Sequence, residues 1–345
     1  MQLDVYRLSP DEAADGELGE FHSLLDASYA VDRPEMVPVR REFAESMLRN
    51  PPSPPGAWLH WMARGEGELV GFAALYLPAA PENARLGTTS VIVAPAHRRR
   101  GIGTRILRAV LPEVRAHGRA IVAGRGMTVG GAGEKWARGL GFAVVNRQVT
   151  QRLVASAENG ARWNVDAPPG YRLLRWNGVA PEELVDSVAR VRRAVEDAPR
   201  GDSHYLAPEW DAARVRREEQ DYARRGFERF TVAALDAAGG DVVAITELIR
   251  HPSRPREAQQ QVTAVLAGHR GRGLGVAVKA SLMRWLVEAH PEVASVRTIT
   301  GWENRYMIAV NTRLGYETVR DWCDVEADTE GLAVRLGGAE TTRPE

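Results

Sequence analysis

The sequence predicts a mixed α/β (α+β) protein made of two tandem copies of one layered unit, each a mostly antiparallel central sheet flanked by helices. Two basic, glycine-rich turns, "VAPAHRRRGIG" at residues 93–103 and "VLAGHRGRGLG" at residues 265–275, place Gly101 and Gly273 172 positions apart, half the chain. Around them, shorter landmarks recur in the same order at similar offsets: "VYRLS" from Val5 with "GYRLL" from Gly170, and "GLGF" from Gly139 with "RLGY" from Arg313. At 345 residues the chain is also longer than one ordinary core.

Within each copy the elements follow one order. A short β-like start leads to a helical stretch; in "PEELVDSVARVRRAVED", Leu184, Val188, Val191 and Val195 fall at helical spacing. Two strand-like runs come next, "WLHWMA" and "ELVGFAALYL" in the first copy, "RFTVAALD" and "DVVAITELI" in the second. The turn-like links "RGEG" and "AAGG" make each pair a hairpin. A third strand, "TTSVIVA" or "QQVTAVLA", runs straight into the glycine-rich turn, and an apolar helix follows. A further strand, "RAIVAG" or "VRTIT", precedes a last helix ending at Leu-Gly-Phe or Leu-Gly-Tyr. Residues 1–155 and 171–345 are thus expected to be the two domains, joined by a linker at 156–170 rich in Asn-Gly and Pro-Pro. "NPPSPPG" from Asn50 reads as a loop, and the tail after Ala327 is expected to fray.

Composition narrows the class of function. Lysine plus arginine number 45 and aspartate plus glutamate 45, so the formal net charge is zero and nothing global favours nucleic acid. Only Lys135 and Lys279 are lysines, a bias read as that of a GC-rich genome. Cys323 is the single cysteine, which excludes an intrachain disulfide and suits a reducing cytoplasm. No basic–apolar leader opens the chain, and no run of about 18 apolar residues suggests a membrane span. His, Asp and Glu show no metal-ligand spacing, so no metal is expected.

A strand, a glycine-rich turn and a helix start together gather unpaired N–H groups at the positive end of a helix dipole, which is a phosphate cradle. The P-loop form fails here, because neither copy has G-x-x-x-x-G-K-[ST]. The dinucleotide form fails at its third glycine, replaced by Ile106 and Val278. The form [QR]-x-x-G-x-[GA] remains, met by Arg98, Gly101 and Gly103 and again by Arg270, Gly273 and Gly275. In this the sequence resembles the GNAT superfamily of acyl-CoA N-acyltransferases. "NRYMIAVNTRLGY", residues 304–316, is similar to that family's last helix, where an asparagine near the start holds the pantetheine arm.

The resemblance covers nearly the whole chain as two GNAT domains, an architecture like that of mycothiol synthases. It implies acetyl-CoA as co-substrate and direct acetyl transfer to the primary amine of a small molecule. The donor would be held by Val265, Leu266, Arg270, Gly271, Arg272, Gly273, Leu274, Gly275 and Asn304. The matching set in the first copy is Val93, Arg98, Arg99, Arg100, Gly101, Ile102 and Gly103. A backbone N–H near Val265 or Leu266 would stabilise the oxyanion. Glu247, in the strand before the cradle strand, is the candidate base, with Ala74 opposite it in the first copy. The usual acid tyrosine is missing, its place taken by Asn311 and Ala137, so Tyr306 is the substitute candidate. His97 and His269 are read as shaping the turn or touching phosphate, Cys323 as a small core residue, and "RVRREEQDYARR" from Arg214 as a solvated helix face. The first copy departs from the pattern at Arg99, where the second has Gly271, and lacks a match to Asn304. Catalysis is therefore expected in the second domain, with the first binding acyl-CoA weakly or shaping the cleft. The alternatives are a non-catalytic acyl-CoA sensor or a protein or peptide N-acyltransferase. A monomer or homodimer is expected, with no nucleic-acid or membrane partner.

Overall fold

The structure, a computed structural model, describes residues 2–49, 56–197, 199, 201–207 and 209–338. Most of the Asn50 loop read from the sequence lies outside these residues. The chain divides into two compact units. Residues 1–147, 201–206 and 322–345 form the first; residues 148–200 and 207–321 form the second.

The first unit begins with β1 (Leu3–Leu8), α1 (Asp15–Asp32), α2 (Arg41–Arg49), β2 (Gly56–Gly65) and β3 (Glu68–Pro78). It continues through β4 (Leu86–Val93), α3 (Ile102–Ala116), β5 (Ile121–Thr128) and α4 (Ala132–Gly139) into β6 (Ala143–Val154). Within the second unit follow α5 (Ala157–Ala161), β7 (Tyr171–Asn177), α6 (Val185–Arg193), α7 (Ala212–Arg224), β8 (Glu228–Asp236) and β9 (Val242–Arg250). Then come β10 (Glu257–Val265), α8 (Leu274–Ala289), β11 (Ser295–Gly301), α9 (Arg305–Arg313), β12 (Tyr316–Asp328) and α10 (Thr329–Gly338).

The two sheets have matching plans. In the first unit the order is β1-β2-β3-β4-β5-β12, antiparallel throughout except for the parallel pair β4/β5. In the second it is β6-β11-β10-β9-β8-β7, antiparallel except for β10/β11. The β2–β3 hairpin closes where Glu66 and Gly67 both take left-handed φ, 54° and 87°, matching the twist of the strands they join. Helix α3 turns Ile102, Ile106, Leu107, Val110, Leu111 and Val114 into the first core, on a 3.6-residue stripe. Helix α8 buries Leu274, Val278, Leu282, Met283 and Leu286, each contributing about 1.5–3 kcal/mol by leaving water.

The structure differs from the sequence expectation at the boundary. A strand follows each Leu-Gly-aromatic landmark, and it completes a sheet. Residues 148–154 of β6 pair with β11, and residues 322–328 of β12 pair with β5. The stretch around 156–170 is folded rather than a bare linker: Ser156 caps α5, and Trp163 is buried in the second core with its Nε1–H donating to the Leu314 carbonyl at 3.0 Å. The expectation of a frayed tail is corrected for residues 329–338, which form α10, with Leu332 and Leu336 in the first core beside Cys323; the rest of the tail lies outside the described residues.

Candidate active site

Both glycine-rich turns fold alike. A short 3-10 turn, Pro95–His97 or Ala267–His269, ends the strand, and two left-handed residues then redirect the chain into a helix. In the second unit these are Gly271 (φ 75°) and Gly273 (φ 82°); in the first, Arg99 (φ 66°) and Gly101 (φ 76°). The departure at Arg99 therefore leaves the backbone path intact. Gly101 and Gly273 are the N-caps of α3 and α8 and offer no side-chain acceptor, so the first amides of each helix lack the partner that Ser, Thr or Asp would provide. A Cβ at Gly101 or Gly271 would meet no atom within 4 Å, and at Gly273 only Pro168 Cγ at 4.0 Å. The cradle face is open, positive by helix dipole and rich in donors, which fits a pyrophosphate.

The motif arginines hold the turn. Arg98 and Arg270 each donate Nε–H to the carbonyl of Val93 and Val265, both at 3.0 Å. Arg98 also grips Asp32 at 2.7 Å, and Arg270 pairs with Asp197. Arg272 donates to the Tyr171 hydroxyl at 2.8 Å, which in turn lies 2.9 Å from His269 Nδ1. Arg99 and Arg100 are exposed. The side chains of Ile102 and Leu274 are buried anchors, so only their backbone can face a ligand. Gly103 packs its α-carbon toward Trp136 and Val93, where a Cβ would lie 3.6 Å from each.

In the second unit a cavity of about 460 Å³ continues from the cradle at Arg270, Gly271 and Gly275. The parallel pair β10/β11 is in register only from Glu257↔Ser295 to Gln259↔Arg297. Beyond that point both strands line the cavity, through Gln261–Val265 on one side and Thr298–Gly301 on the other. Between Gln260 and Thr263 the register of β10 against β9 slips by a residue, a bulge that takes Gln261 and Val262 out of the regular ladder. Strand β4 of the first unit pairs with β3 without such a shift. The Leu266 N–H, one of the expected oxyanion donors, instead donates to the Val243 carbonyl at 2.9 Å; Val265 lines the cavity.

Asn304 and Tyr306 line the same cavity. Asn304 caps α9, its Oδ1 accepting from the Met307 N–H at 3.1 Å; Tyr306 is 59% exposed. The corresponding α4 starts at Gly131 with no side-chain cap. Asn311, where a tyrosine was sought, is buried and donates to Gln151 Oε1 at 2.8 Å, and Ala137 is buried too.

Glu247 is not among the residues that line the cavity. It is 1% exposed, and its two oxygens accept from Arg192 and from Arg229, the latter at 2.5 Å. Arg192 also reaches Glu218 at 2.5 Å and stacks over Trp210 at 3.9 Å, while Arg229 lies 3.5 Å from Glu219. Burial pushes the Arg229 guanidinium below its usual range, with Arg192 as the next cause. Glu247 is the shared anion that compensates both cations, tying β9 to α6 and β8. Held this way, it has no opening toward a substrate amine. The "RVRREEQDYARR" helix is correspondingly not a purely solvated face, since Glu219 is 5% exposed.

Two features escaped the sequence reading. The bulge has no compositional mark in "QQQVTAV". Lys279, fully buried and lining the cavity, did carry a signal: it is one of two lysines in the chain and interrupts the apolar run "GVAVKASLMRW".

Among the described residues no group of three or more His, Cys, Asp or Glu could hold a metal ion, and no helix is long and apolar enough to cross a membrane. Comparison with known proteins agrees with the geometry. Residues 20–143 match the model of the acetyltransferase (GNAT) family, and so fall on the first unit, the copy with the sequence departures. A tandem GNAT protein from the clavulanic acid biosynthesis pathway superposes with a TM-score of 0.79 at 25% identity, covering 95% of this chain and 99% of its own. A GCN5-related N-acetyltransferase from Sphaerobacter thermophilus shares the fold at 15% identity and a TM-score of 0.67, covering 95% of this chain and 96% of its own. No curated protein matches the sequence. Fold and cradle together define an acyl-CoA-dependent acyltransferase. Residues 20–143 carry the signature of the GNAT acetyltransferase family, and the chain as a whole shares the two-unit fold of a tandem GNAT protein.

Proposed function

We propose that the second unit transfers an acetyl group from acetyl-CoA directly to the primary amine of a small molecule. One observation carries this reading: a glycine cradle, a forked parallel strand pair and a bulged strand meet in one cavity. The amides at 273–276 would take the pyrophosphate, with Asn304 beside the pantetheine arm, as the family resemblance implies. The backbone freed at Gln261 and Val262 would polarise the thioester carbonyl, the charge that grows in the transition state. Tyr306, on the cavity wall, would return a proton to the leaving thiolate. No cysteine is among the lining residues, which favours direct transfer over an acyl-enzyme. The first unit keeps the cradle and is read as a second donor site without the bulged strand. The biosynthetic setting named for the tandem neighbour agrees with a small-molecule acceptor.

Paired variants test this with labelled acetyl-CoA and a panel of amines. Gly273→Glu places a charged side chain at a left-handed position facing the cradle and is expected to abolish both CoA binding in the second unit and transfer. Gly101→Glu is expected to leave transfer within about threefold. Transfer that survives Gly273→Glu overturns the assignment to the second unit. Tight CoA binding with no transfer to any amine would favour an acyl-CoA sensor, a reading to which the buried Asn311 in place of an acid tyrosine lends some weight.

A further inference from the structure

Lys279 is the charge in the cavity that the proposed transfer does not use. It sits one helical turn after Gly275 on α8, and both residues line the cavity, so the helix carries it about 6 Å deeper than the cradle. It is 1% exposed. No carboxylate pairs with it among the described residues; its one charge-related contact is the Tyr316 ring, 5.1 Å from the ammonium. Lysine is almost never buried this far without a partner, because desolvating an ammonium is costly. The chain's other buried cations obey that rule: Arg192 and Arg229 share Glu247, and Arg250 holds Glu228 and Glu292. At the matching place in the first unit, 172 residues earlier, stands Leu107, which packs in the apolar core.

Away from the cradle the other lining side chains are uncharged, a mixture of hydroxyls and amides with the apolar Val262, Ala264, Val265 and Ile299. Thr298 and Thr300 on β11 and Gln261 and Thr263 on β10 line the inner wall, while the acid–base pair Arg270–Asp197 belongs to the cradle end. A buried lysine on an otherwise uncharged wall can form an ion pair with an anionic group that arrives with a ligand. We propose that the second unit selects acyl-CoA donors whose acyl group ends in a carboxylate, with Lys279 as counter-ion; the first unit, with Leu107 at the matching place, has no such cation. The inference rests on the reading of this cavity as the acyl-CoA site and departs from the acetyl donor proposed above in one respect, naming a dicarboxylic half-thioester as the preferred donor. Burial alone pushes the Lys279 ammonium down to about 7, so near neutral pH the side chain can take up a proton as an anion arrives.

The test needs no acceptor. Two stable thioethers of the same shape, S-(2-carboxyethyl)-CoA and its amide S-(2-carbamoylethyl)-CoA, are titrated calorimetrically into the full-length protein, into Lys279→Met and into Gly273→Glu. The wild type is expected to bind the carboxylate at one site at least tenfold more tightly than the amide. Lys279→Met, whose apolar side chain suits the surrounding core, is expected to erase that preference while keeping amide affinity within about threefold. Gly273→Glu is expected to remove the preferring site and leave a non-preferring one. Equal affinities for the two ligands in the wild type overturn the proposal and leave the donor-site reading standing, as does a preference that persists in Lys279→Met. If Gly273→Glu changes no titration, the donor-site reading itself falls.

Discussion

Single side chains divide this protein's charges into compensated and uncompensated ones. Glu247 shows the first kind: sequence position marked it as a base, yet two buried guanidiniums claim it, and no one-dimensional pattern announces a partner 55 residues away. Lys279 shows the second kind, and its cost can be read in stability. Its folded-state value is depressed to about 7 from 10.5, so the unfolded chain binds the proton first as pH falls through that window. Wild-type stability should therefore drop, relative to Lys279→Met, as pH is lowered from about 10 to about 7, and the gap should stay constant below 7. A gap on the order of 3–5 kcal/mol is expected at pH 6, measured by urea denaturation of both proteins at each pH. A gap that does not vary with pH would mean the ammonium is solvated in the folded state.

Among elements, the turn is the part that sequence rendered best. Its glycines, the strand before it and the apolar helix after it were all legible, because each follows from local chemistry: apolar alternation, a 3.6-residue stripe, and freedom at positive φ. The weight placed on Arg99 was not legible in the same way. A residue type does not state its φ, and Arg99 accepts the left-handed conformation at a cost of about 1 kcal/mol. The exchange is expected to work in reverse. Gly271→Arg should lower the stability of the second unit by about 1 kcal/mol, seen as a few degrees in its melting transition, while CoA affinity stays within about threefold. Loss of CoA binding in that variant would show that the bare glycine face, rather than the path of the turn, is what the ligand requires. The bulge at Gln261–Val262 and the fork beyond Gln259 stayed hidden because register is a property of paired strands, and one strand's sequence does not record it.

At the scale of the whole molecule, the repeat was visible but its seam was not. Landmarks located the two copies, whereas the last strand of each copy reads as an ordinary apolar run with no sign of which sheet it joins. Residues 148–154 belong to the second sheet and residues 322–328 to the first. A fragment spanning 148–321 carries all six strands of its sheet and is expected to unfold in one cooperative transition. A fragment spanning 171–345, the domain suggested by sequence, lacks that edge strand with its buried Leu153, and also Trp163. It is expected to be insoluble or less stable by more than about 4 kcal/mol, since losing a buried tryptophan alone costs about 3–5 kcal/mol. Equal stability of the two fragments, measured by circular dichroism on heating, would place the seam elsewhere. The strand order has a further consequence on the ribosome. The second unit's residues have all been made by position 321, whereas the first sheet must wait for 322–328 to cover the open edge of β5. Synthesis thus completes the later unit first, reversing the usual N-to-C order, and leaves an unpaired strand edge on the nascent chain while residues 129–321 are made.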